Sequence, residues 1–318
     1  MPRTGLVVRA LVLLAALGIV VLLPQVISGF RAFQFANVGI YFIALLGLNV
    51  LTGYTGQISL GHGAFIAIGA YTTAALVVHQ GVRDLWTIPV AGLVAGVAGL
   101  LFGFPALRLS GVYLALATFA LAVATPSVLK RFEGFSGGSG GLFLNLPAAP
   151  FGLPLSESDW LYYLAWGIAI ALLVGAWLIV RGRVGRAFRA IRESEVAAVS
   201  SGINLALYKT LAFGISAFYA GIAGSLLVIS IAFVNPDTFP ISLSILLLTG
   251  VVVGGLGSLS GVVVGALFIQ FLPIYAQRVS QQAPSVIYGL VLIAVMFLLP
   301  TGAAGLLRRL LSPLTRRL

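Results

Sequence analysis

The chain of 318 residues contains no cysteine and few charged residues. Without cysteine, neither a disulfide framework nor a thiolate-bound metal site can form. Charged residues make up 8% of the sequence, whereas a soluble domain is typically about a quarter charged. Because 60% of the residues are hydrophobic, the chain could not cover a water-facing surface. The composition indicates an integral membrane protein rather than an unusually apolar soluble one.

Acidic residues are especially scarce, with seven carboxylates against 18 lysines and arginines. None of the seven lies in the middle of an apolar run, and a proton- or sodium-coupled carrier usually needs a buried carboxylate for its coupling ion. The sequence therefore argues against a self-powered carrier and against an intramembrane enzyme that works with carboxylates.

Patterns that bind phosphate or metal are also missing. The only lysines, Lys130 and Lys209, lie outside any Gly-x-x-x-x-Gly-Lys-Ser/Thr loop, so the chain is not expected to bind ATP in that way. The only histidines, His62 and His79, are fewer than the three or four ligands of a zinc site. We predict no metal and no cofactor in this chain, so uphill transport would need energy from a partner.

Apolar runs are what the sequence has in abundance. A helix that crosses a bilayer needs about 20 apolar residues. We therefore predict an all-α integral membrane protein of about ten transmembrane helices, some short or broken, in a single domain over residues 1–318. The first run, which ends near Ser28, could instead be a cleaved signal peptide, but we favour a retained span. The runs cover residues 8–29, 33–51, 61–79, 86–107, 111–129, 160–180, 210–233, 239–256, 259–277 and 284–300.

The positions of arginine and lysine predict the orientation. If the N-terminus is cytoplasmic and the spans alternate, 13 of the 18 basic residues fall on the cytoplasmic side and five on the other. This bias predicts that both termini are cytoplasmic (N-in/C-in). The main cytoplasmic loop is then at about 181–209 and the main periplasmic loop at about 131–159. The bias also accounts for the net charge of +11 without nucleic acid as a partner.

Two glycine-rich segments look alike, the first at Thr55–Gly61 and the second at Gly254–Gly261. Both join two spans near the predicted cytoplasmic face and weakly suggest an internal repeat, which in transporters often flanks a substrate route. Other glycines recur at four-residue spacing, as Gly92 does with Gly96 and Gly99 does with Gly103. We expect these glycines to let helices pack closely.

Polar residues lie within or beside the apolar runs near the first glycine-rich segment. Each must find a partner on another helix or in a water-filled cavity. We predict that they line a substrate route, in which a helix beginning near Ser59 could hold a carboxylate at its N-terminus. Simple helix-to-helix hydrogen bonding is the alternative. The residues are Asn49, Tyr54, Gln57, Ser59, His62 and Thr118.

The cytoplasmic loop predicts a basic amphipathic helix over about 185–202. Arginines recur every three residues up to Arg192, while Val184, Phe188 and Ile191 recur at helical spacing on another face. Gly202 is expected to end the helix. Such a helix could rest on anionic lipid headgroups or dock a cytoplasmic partner, and the residues alone favour neither.

The same loop resembles the Glu-Ala-Ala…Gly coupling motif of permease subunits of ABC importers, through Glu195, Ala197–Ala198 and Gly202. Leu48–Phe65, Lys209–Gly224 and the second glycine-rich segment resemble signatures of the branched-chain amino-acid permease family. The matches run in order over about residues 35–306 and are more similar to LivM-type than to LivH-type subunits. The three residues before Gly202 depart from the family's fuller motif, and this departure concerns the fit to a particular ATPase rather than the family.

The resemblance implies one subunit of an importer in the bacterial inner membrane. Its partners would be a LivH-like second permease, two cytoplasmic ATPase subunits that bind ATP and Mg²⁺, and an extracytoplasmic solute-binding protein. Branched-chain amino acids are the implied solutes, with urea, amides and other amino acids as alternatives. A passive solute channel is the alternative of another class, and it would pass solute without ATPase partners.

Candidate residues for the partner contacts are carried over from the family on the same basis. The ATPase subunits are expected to contact the cytoplasmic loop, and the solute-binding protein is expected to dock on the glycine-rich periplasmic loop. The coupling candidates are Arg186, Arg189, Arg192, Glu193, Glu195, Ala198 and Gly202, and the docking candidates are Ser136, Gly137 and Gly138.

Overall fold

The structure is a computed structural model, and it describes residues 18, 20–106, 109, 111–145, 155–279, 284–298 and 302–305. The described residues are mostly helical, with two short strands, β1 (Leu142–Phe143) and β2 (Phe233–Val234), and 3₁₀ turns at Gly138–Gly140 and Pro236–Thr238. The helices are α1 (Gly29–Leu48), which continues into a π-helix (Asn49–Tyr54), α2 (His62–Gln80), α3 (Asp84–Ala106), α4 (Gly111–Arg131), α5 (Glu133–Ser136), α6 (Glu157–Arg181), α7 (Arg183–Glu193), α8 (Glu195–Ser200), α9 (Leu205–Ile231), α10 (Ile241–Gly254), α11 (Gly261–Val279) and α12 (Pro284–Leu298).

Eight helices within the described ranges are long and apolar enough to cross a membrane. This finding confirms an all-α membrane protein. Of the ten predicted spans, the first run at 8–29 has half of its residues outside the described ones. The last coincides with α12, whose 15 residues are fewer than the about 17 that a short span needs. The eight are Gly29–Tyr54, His62–Gln80, Asp84–Pro105, Gly111–Arg131, Glu157–Arg181, Leu205–Ile231, Pro236–Gly254 and Gly261–Arg278.

Helix α9 lies at the centre of the bundle and packs against α1, α2 and α3. Both α1 and α9 are mostly buried, whereas only a minority of the residues of α4 and α6 are buried. The close approach of α3 to α9 depends on glycine. A methyl group on Gly92 would lie 2.8 Å from Ile222 Cγ1, and one on Gly103 would lie 3.1 Å from Phe213 Cβ. The predicted role of the spaced glycines in helix packing is confirmed for α3.

The bundle has two distinct ends. At one end, α7 meets both glycine-rich segments and α8 packs against the start of α9. At the other end, β1 pairs antiparallel with β2, so that Leu142 lies opposite Val234, and Lys130 Nζ lies 2.8 Å from Asp237 Oδ1. The main loop predicted as cytoplasmic therefore lies at the end opposite to the loop predicted as periplasmic, as an alternating arrangement of spans requires.

The amphipathic helix predicted over 185–202 is divided into α7 and α8. The division is at Ser194, which has an extended backbone with φ −162° and ψ 117°. Its hydroxyl accepts a hydrogen bond from the Ala197 N–H at 3.3 Å and so caps α8, as serine commonly does at a helix start. The predicted end of the helix is confirmed, because Gly202 has a left-handed backbone with φ 79° and the Ile203 N–H donates to Ala198 O at 3.0 Å.

The helix expected to begin near Ser59 begins instead at His62, which starts α2. The Ser59 hydroxyl accepts a hydrogen bond from the Gly61 N–H at 3.3 Å, and such local bonds compete with helix formation. The residues between the π-helix and α2 are therefore irregular, and buried and exposed residues alternate along the first glycine-rich segment.

Candidate functional site

The candidate site is the end of the bundle where α7 meets the two glycine-rich segments and α8 packs against α9. Asn49, in the π-helix just before the first segment, is fully buried. Its Nδ2 donates to Ser258 O at 3.1 Å, and its Oδ1 accepts a hydrogen bond from the Gly257 N–H at 2.9 Å. One side chain therefore joins the π-helix to the second glycine-rich segment, about which the sequence indicated only a likeness to the first.

Close approach at this junction depends on glycine. A methyl group on Gly53 would collide with the Asn49 side chain and with Gly257 N. Gly56, in the first segment, has a left-handed backbone with φ 73°, which glycine adopts without strain. Short insertions of π-helix occur frequently at functional sites, and this one lies where the two segments meet.

Arg192 connects α7 to both glycine-rich segments. Its Nη1 donates a hydrogen bond to Gly53 O, and its stem lies against Gly56, where a methyl group would be 3.2 Å from Arg192 Cγ. A methyl group on Gly257 would be 2.9 Å from Arg192 Nη1, so the guanidinium also reaches the second segment. Hydrogen bonds from a charged donor are roughly twice as strong as neutral ones. Arg192 therefore links α7 to the bundle.

The apolar face of α7 packs against the bundle. Phe188 is fully buried and Ile191 is nearly so, and the Phe188 ring lies edge-on to Tyr208 with 6.4 Å between ring centres. On the other face, Arg186 and Arg189 are exposed. The predicted amphipathic pattern is confirmed, and its apolar face contacts protein, which leaves the basic face for headgroups or a partner.

An ion pair that the sequence did not single out ties α8 to α9. Glu195 Oε1 lies 2.6 Å from Lys209 Nζ, and the Lys209 side chain is 6% exposed. A buried ammonium without a counter-charge is strongly destabilising, so Glu195 compensates Lys209. The available signal was that Lys209, one of only two lysines, stands near the start of a long apolar run, where a charge needs a partner.

The seven coupling candidates divide into two groups by what they contact. Ala198 is buried, and Arg192 and Glu195 bond to the bundle. The remaining four are exposed, and they are Arg186, Arg189, Glu193 and Gly202. Because Arg192 and Glu195 are exposed as well, the two groups differ in their bonds to the bundle rather than in their access to a second protein.

Two apolar residues of α8 are exposed as well. Val196 is 79% exposed and Val199 is 54% exposed. Sequence reasoning missed them because it read α7 and α8 as one helix, in which these valines have no separate face. Exposed valines beside exposed arginines form a mixed surface of the kind found in protein interfaces, whose rims are polar.

A polar cavity of about 200 Å³ lies beside the coupling segment. Thr55 and Gln57 of the first glycine-rich segment line one side of it, and Arg192 and Lys209 line another. Of the six candidates for the substrate route, Gln57 borders this cavity. The cavity therefore adjoins residues that join the coupling segment to the bundle.

The six route candidates are all buried and surround the first glycine-rich segment. Thr118 Oγ1 accepts a hydrogen bond from the Leu60 N–H and donates one to Ala115 O, each at 3.0 Å. His62 Nε2 lies 2.9 Å from Ala44 O. The bonds to Leu60 and Ala44 join neighbouring elements, as the helix-to-helix alternative expects, and the role in a substrate route stays a prediction.

The three docking candidates lie at the opposite end of the bundle. The Ser136 hydroxyl is buried and donates to Leu129 O at 2.7 Å, while it accepts from the Gly138 N–H at 3.1 Å. Gly137 and Gly138 have left-handed backbones, and Gly137 is exposed whereas Gly138 is buried. Ser136 and Gly138 thus shape the loop, and Gly137 is the member that a partner could contact directly.

Comparison with known proteins identifies the family. The model of the family described as "Branched-chain amino acid transport system / permease component" matches residues 32–299. This range includes both glycine-rich segments, α7 and α8. The chain belongs to this permease family. No solved structure matches the permease significantly.

Curated relatives of the permease include both subunit types. It is 37% identical over 254 residues to the high-affinity branched-chain amino acid transport system permease protein LivM of Escherichia coli (strain K12), covering 72% of this chain and 60% of LivM. It is 36% identical over 285 residues to LivM of Salmonella typhimurium, covering 82% and 67%. To LivH of Salmonella typhimurium it is 25% identical over 281 residues, covering 83% and 91%. The predicted similarity to LivM-type subunits is confirmed, and the permease spans about two thirds or less of their length.

Proposed function

We propose that this permease is the LivM-like subunit of an ATP-driven importer of branched-chain amino acids in the bacterial inner membrane. It would act with a LivH-like second permease, two cytoplasmic ATPase subunits that bind ATP and Mg²⁺, and an extracytoplasmic solute-binding protein. It would have about ten spans with both termini in the cytoplasm, and it would carry out no covalent chemistry of its own.

The observation that carries this proposal is the set of bonds between the α7–α8 segment and the bundle. Motion of α7 would displace Gly53 through its hydrogen bond with Arg192. The hydrogen bonds of Asn49 would transmit that displacement to the second glycine-rich segment. Motion of α8 would act on α9 through Glu195 and Lys209. Because α1, α2, α10 and α11 all begin or end near these segments, a displacement driven by ATP would reach several spans at once.

The ATPase subunit would contact the accessible side of the same segment. Val196 and Val199 would enter an apolar cleft, while Arg186 and Arg189 would pair with acidic residues at its rim. Gly202, with open space around it, would allow close approach at the end of α8. This division separates residues that bind the ATPase from residues that transmit its motion.

The proposed substrate rests on the relatives, which are permease proteins of branched-chain amino acid transport systems. Urea, amides and other amino acids are the alternative solutes, and binding assays on the cognate solute-binding protein would separate them. Transport would follow a route near the first glycine-rich segment, where Gln57 borders the polar cavity.

Reconstitution tests the transport mechanism against a passive channel. We expect proteoliposomes that contain both permeases, both ATPases and ATP to accumulate leucine supplied with its binding protein. Vesicles that contain the permease alone should show no leucine flux above that of empty vesicles. Flux from the permease alone, independent of ATP, would contradict the proposal and favour a channel.

Orientation can be tested with single cysteines, because the chain has none of its own. Ser201→Cys and Ser139→Cys are a matched pair, since both serines are exposed and lie at opposite ends of the bundle. In intact cells, a membrane-impermeant maleimide should label Ser139→Cys and leave Ser201→Cys unlabelled until the inner membrane is opened. The reverse pattern would overturn the cytoplasmic position of α8.

A further inference from the structure

A groove of about 660 Å³ runs between α1 and α11 on the flank of the bundle. Small-molecule sites typically occupy about 300–1,000 Å³. Its walls include Phe35, Leu267 and Phe271, and Arg31 and Arg278 border it. The arginines stand at the N-terminus of α1 and near the C-terminus of α11, so the charged end of the groove is the end away from α7 and α8. Nothing in the proposed transport mechanism uses this groove.

The two arginines of the groove have no carboxylate partner in the described part of the chain. The two ion pairs found there are Lys130–Asp237 and Lys209–Glu195. The Arg278 guanidinium lies 5.6 Å from the centre of the Tyr275 ring, and Arg31 is exposed. Guanidinium groups bind phosphate and carboxylate oxygens with paired hydrogen bonds. The charge of the groove therefore matches an anion.

The length of the groove distinguishes among anions. Its lining residues on α11 run from Val264 to Arg278, a distance of about 21 Å at about 1.5 Å per residue. One leaflet of a bilayer contributes about half of a hydrocarbon core that is about 30 Å thick. An amino acid, whose backbone spans about 3.5 Å, would fill only a small part of this length, whereas an acyl chain would follow it.

We propose that this groove binds one anionic phospholipid. Its phosphate would lie between Arg31 and Arg278, and an acyl chain would lie along Phe35, Leu267 and Phe271. Arginine binds phosphate with paired hydrogen bonds, and basic pockets between helices on the cytoplasmic side of membranes hold anionic headgroups by the same chemistry. Since α1 leads into the first glycine-rich segment and α11 begins at the second, the lipid would brace the two helices that carry these segments.

Native mass spectrometry of the full-length permease in mild detergent tests this site. After incubation with equal amounts of phosphatidylglycerol and phosphatidylcholine, the wild-type chain should retain one phosphatidylglycerol in preference. We expect the double variant Arg31→Gln/Arg278→Gln to reduce that retention by about thirtyfold, since two basic residues near an anionic headgroup contribute about 1 kcal/mol each. Leu267→Trp, which fills the groove without a change of charge, should also reduce it.

The matched control is Arg83→Gln/Arg131→Gln. Both arginines are exposed at the same end of the bundle but do not line the groove, so phosphatidylglycerol retention should be unchanged. An equal loss in this control would mean that general surface charge attracts the lipid, and it would overturn the proposal. Equal retention of the two lipids by the wild-type chain would overturn it as well.

Two further results would also overturn the lipid site. Displacement of the lipid by millimolar glycerol phosphate or leucine would show a site for a small soluble anion. Loss of the lipid when the second permease is bound would show that the groove is a protein interface. Lipid retention is measured without transport, so a failed importer assay would leave this result intact.

Discussion

The only two lysines of the permease form ion pairs of the same chemistry at opposite ends of the bundle. Lys209 Nζ lies 2.6 Å from Glu195 and Lys130 Nζ lies 2.8 Å from Asp237. The two pairs differ in burial, since the Lys209 side chain is 6% exposed and that of Lys130 is 41% exposed. Similar geometry therefore has different consequences: an exposed pair contributes about 0–1 kcal/mol, whereas removing one partner of a buried pair costs about 3–5 kcal/mol.

The largest expected effect comes from breaking the buried pair on its accessible side. Glu195→Gln would leave the Lys209 ammonium buried without a counter-charge. Because the Glu195 side chain is 45% exposed, we expect the free energy of unfolding to fall by about 3 kcal/mol, near the lower limit for buried pairs. Thermal unfolding of the purified permease would measure it, with Asp237→Asn as the matched control at the exposed pair.

A double variant separates stability from coupling at the same position. Glu195→Leu/Lys209→Met removes both charges, and such replacements of buried pairs are often neutral or stabilising. We expect near wild-type thermal stability with leucine uptake still impaired, because α8 would no longer be tied to α9 by charge. Full uptake in the double variant would show that the pair serves folding alone.

Arg192 sharpens the comparison, because it joins α7 to the bundle through a backbone carbonyl rather than a carboxylate. Arg192→Met keeps an unbranched stem but leaves Gly53 O without this donor. We expect the free energy of unfolding to fall by about 2 kcal/mol, within the range for hydrogen bonds to charged groups. In the assembled importer, ATP hydrolysis should continue while leucine uptake falls. Parallel assays of the two rates would measure this uncoupling.

The control for Arg192 is the exposed neighbour Arg189. Arg189→Met removes the same charge from the same helix but no hydrogen bond to the bundle, so unfolding should be unchanged and only ATPase binding should weaken. If both variants reduced ATPase binding equally and left hydrolysis and uptake coupled, Arg192 would bind the ATPase rather than transmit motion from α7 to the bundle.

Much of the fold could be predicted from composition and periodicity. Apolar runs of span length predicted the membrane class, and the recurring Phe188 and Ile191 predicted the buried face of α7. The break at Ser194 could not be predicted, because helical periodicity continues across it and a single hydroxyl cap decides where α8 begins. The π-helix at Asn49–Tyr54 was missed for a similar reason, since one extra residue per turn hardly disturbs an apolar pattern.

The candidate site was predictable by residue type but not by contact. Asn49 stood out as a polar group in an apolar run, yet its partners Gly257 and Ser258 are more than 200 positions away. Glu195 belongs to a recognisable motif and Lys209 to a separate family signature, but nothing in either pattern indicates that the two residues pair. Long-range partners of this kind depend on the packing of α9 and the two glycine-rich segments, and one sequence alone does not contain that information.

The smallest effect is expected at the exposed pair and decides whether burial explains the comparison. Lys130→Gln leaves Asp237 in water, where its carboxylate is well solvated. We therefore expect the free energy of unfolding to change by at most about 1 kcal/mol.

Raising the salt concentration should remove even this difference, because exposed charges are screened, whereas the effect of Glu195→Gln should persist at high salt. Thermal unfolding of both variants at low and high salt measures the contrast. Equal salt sensitivity would mean that water reaches Lys209 and that the two ends are held by ion pairs of the same kind.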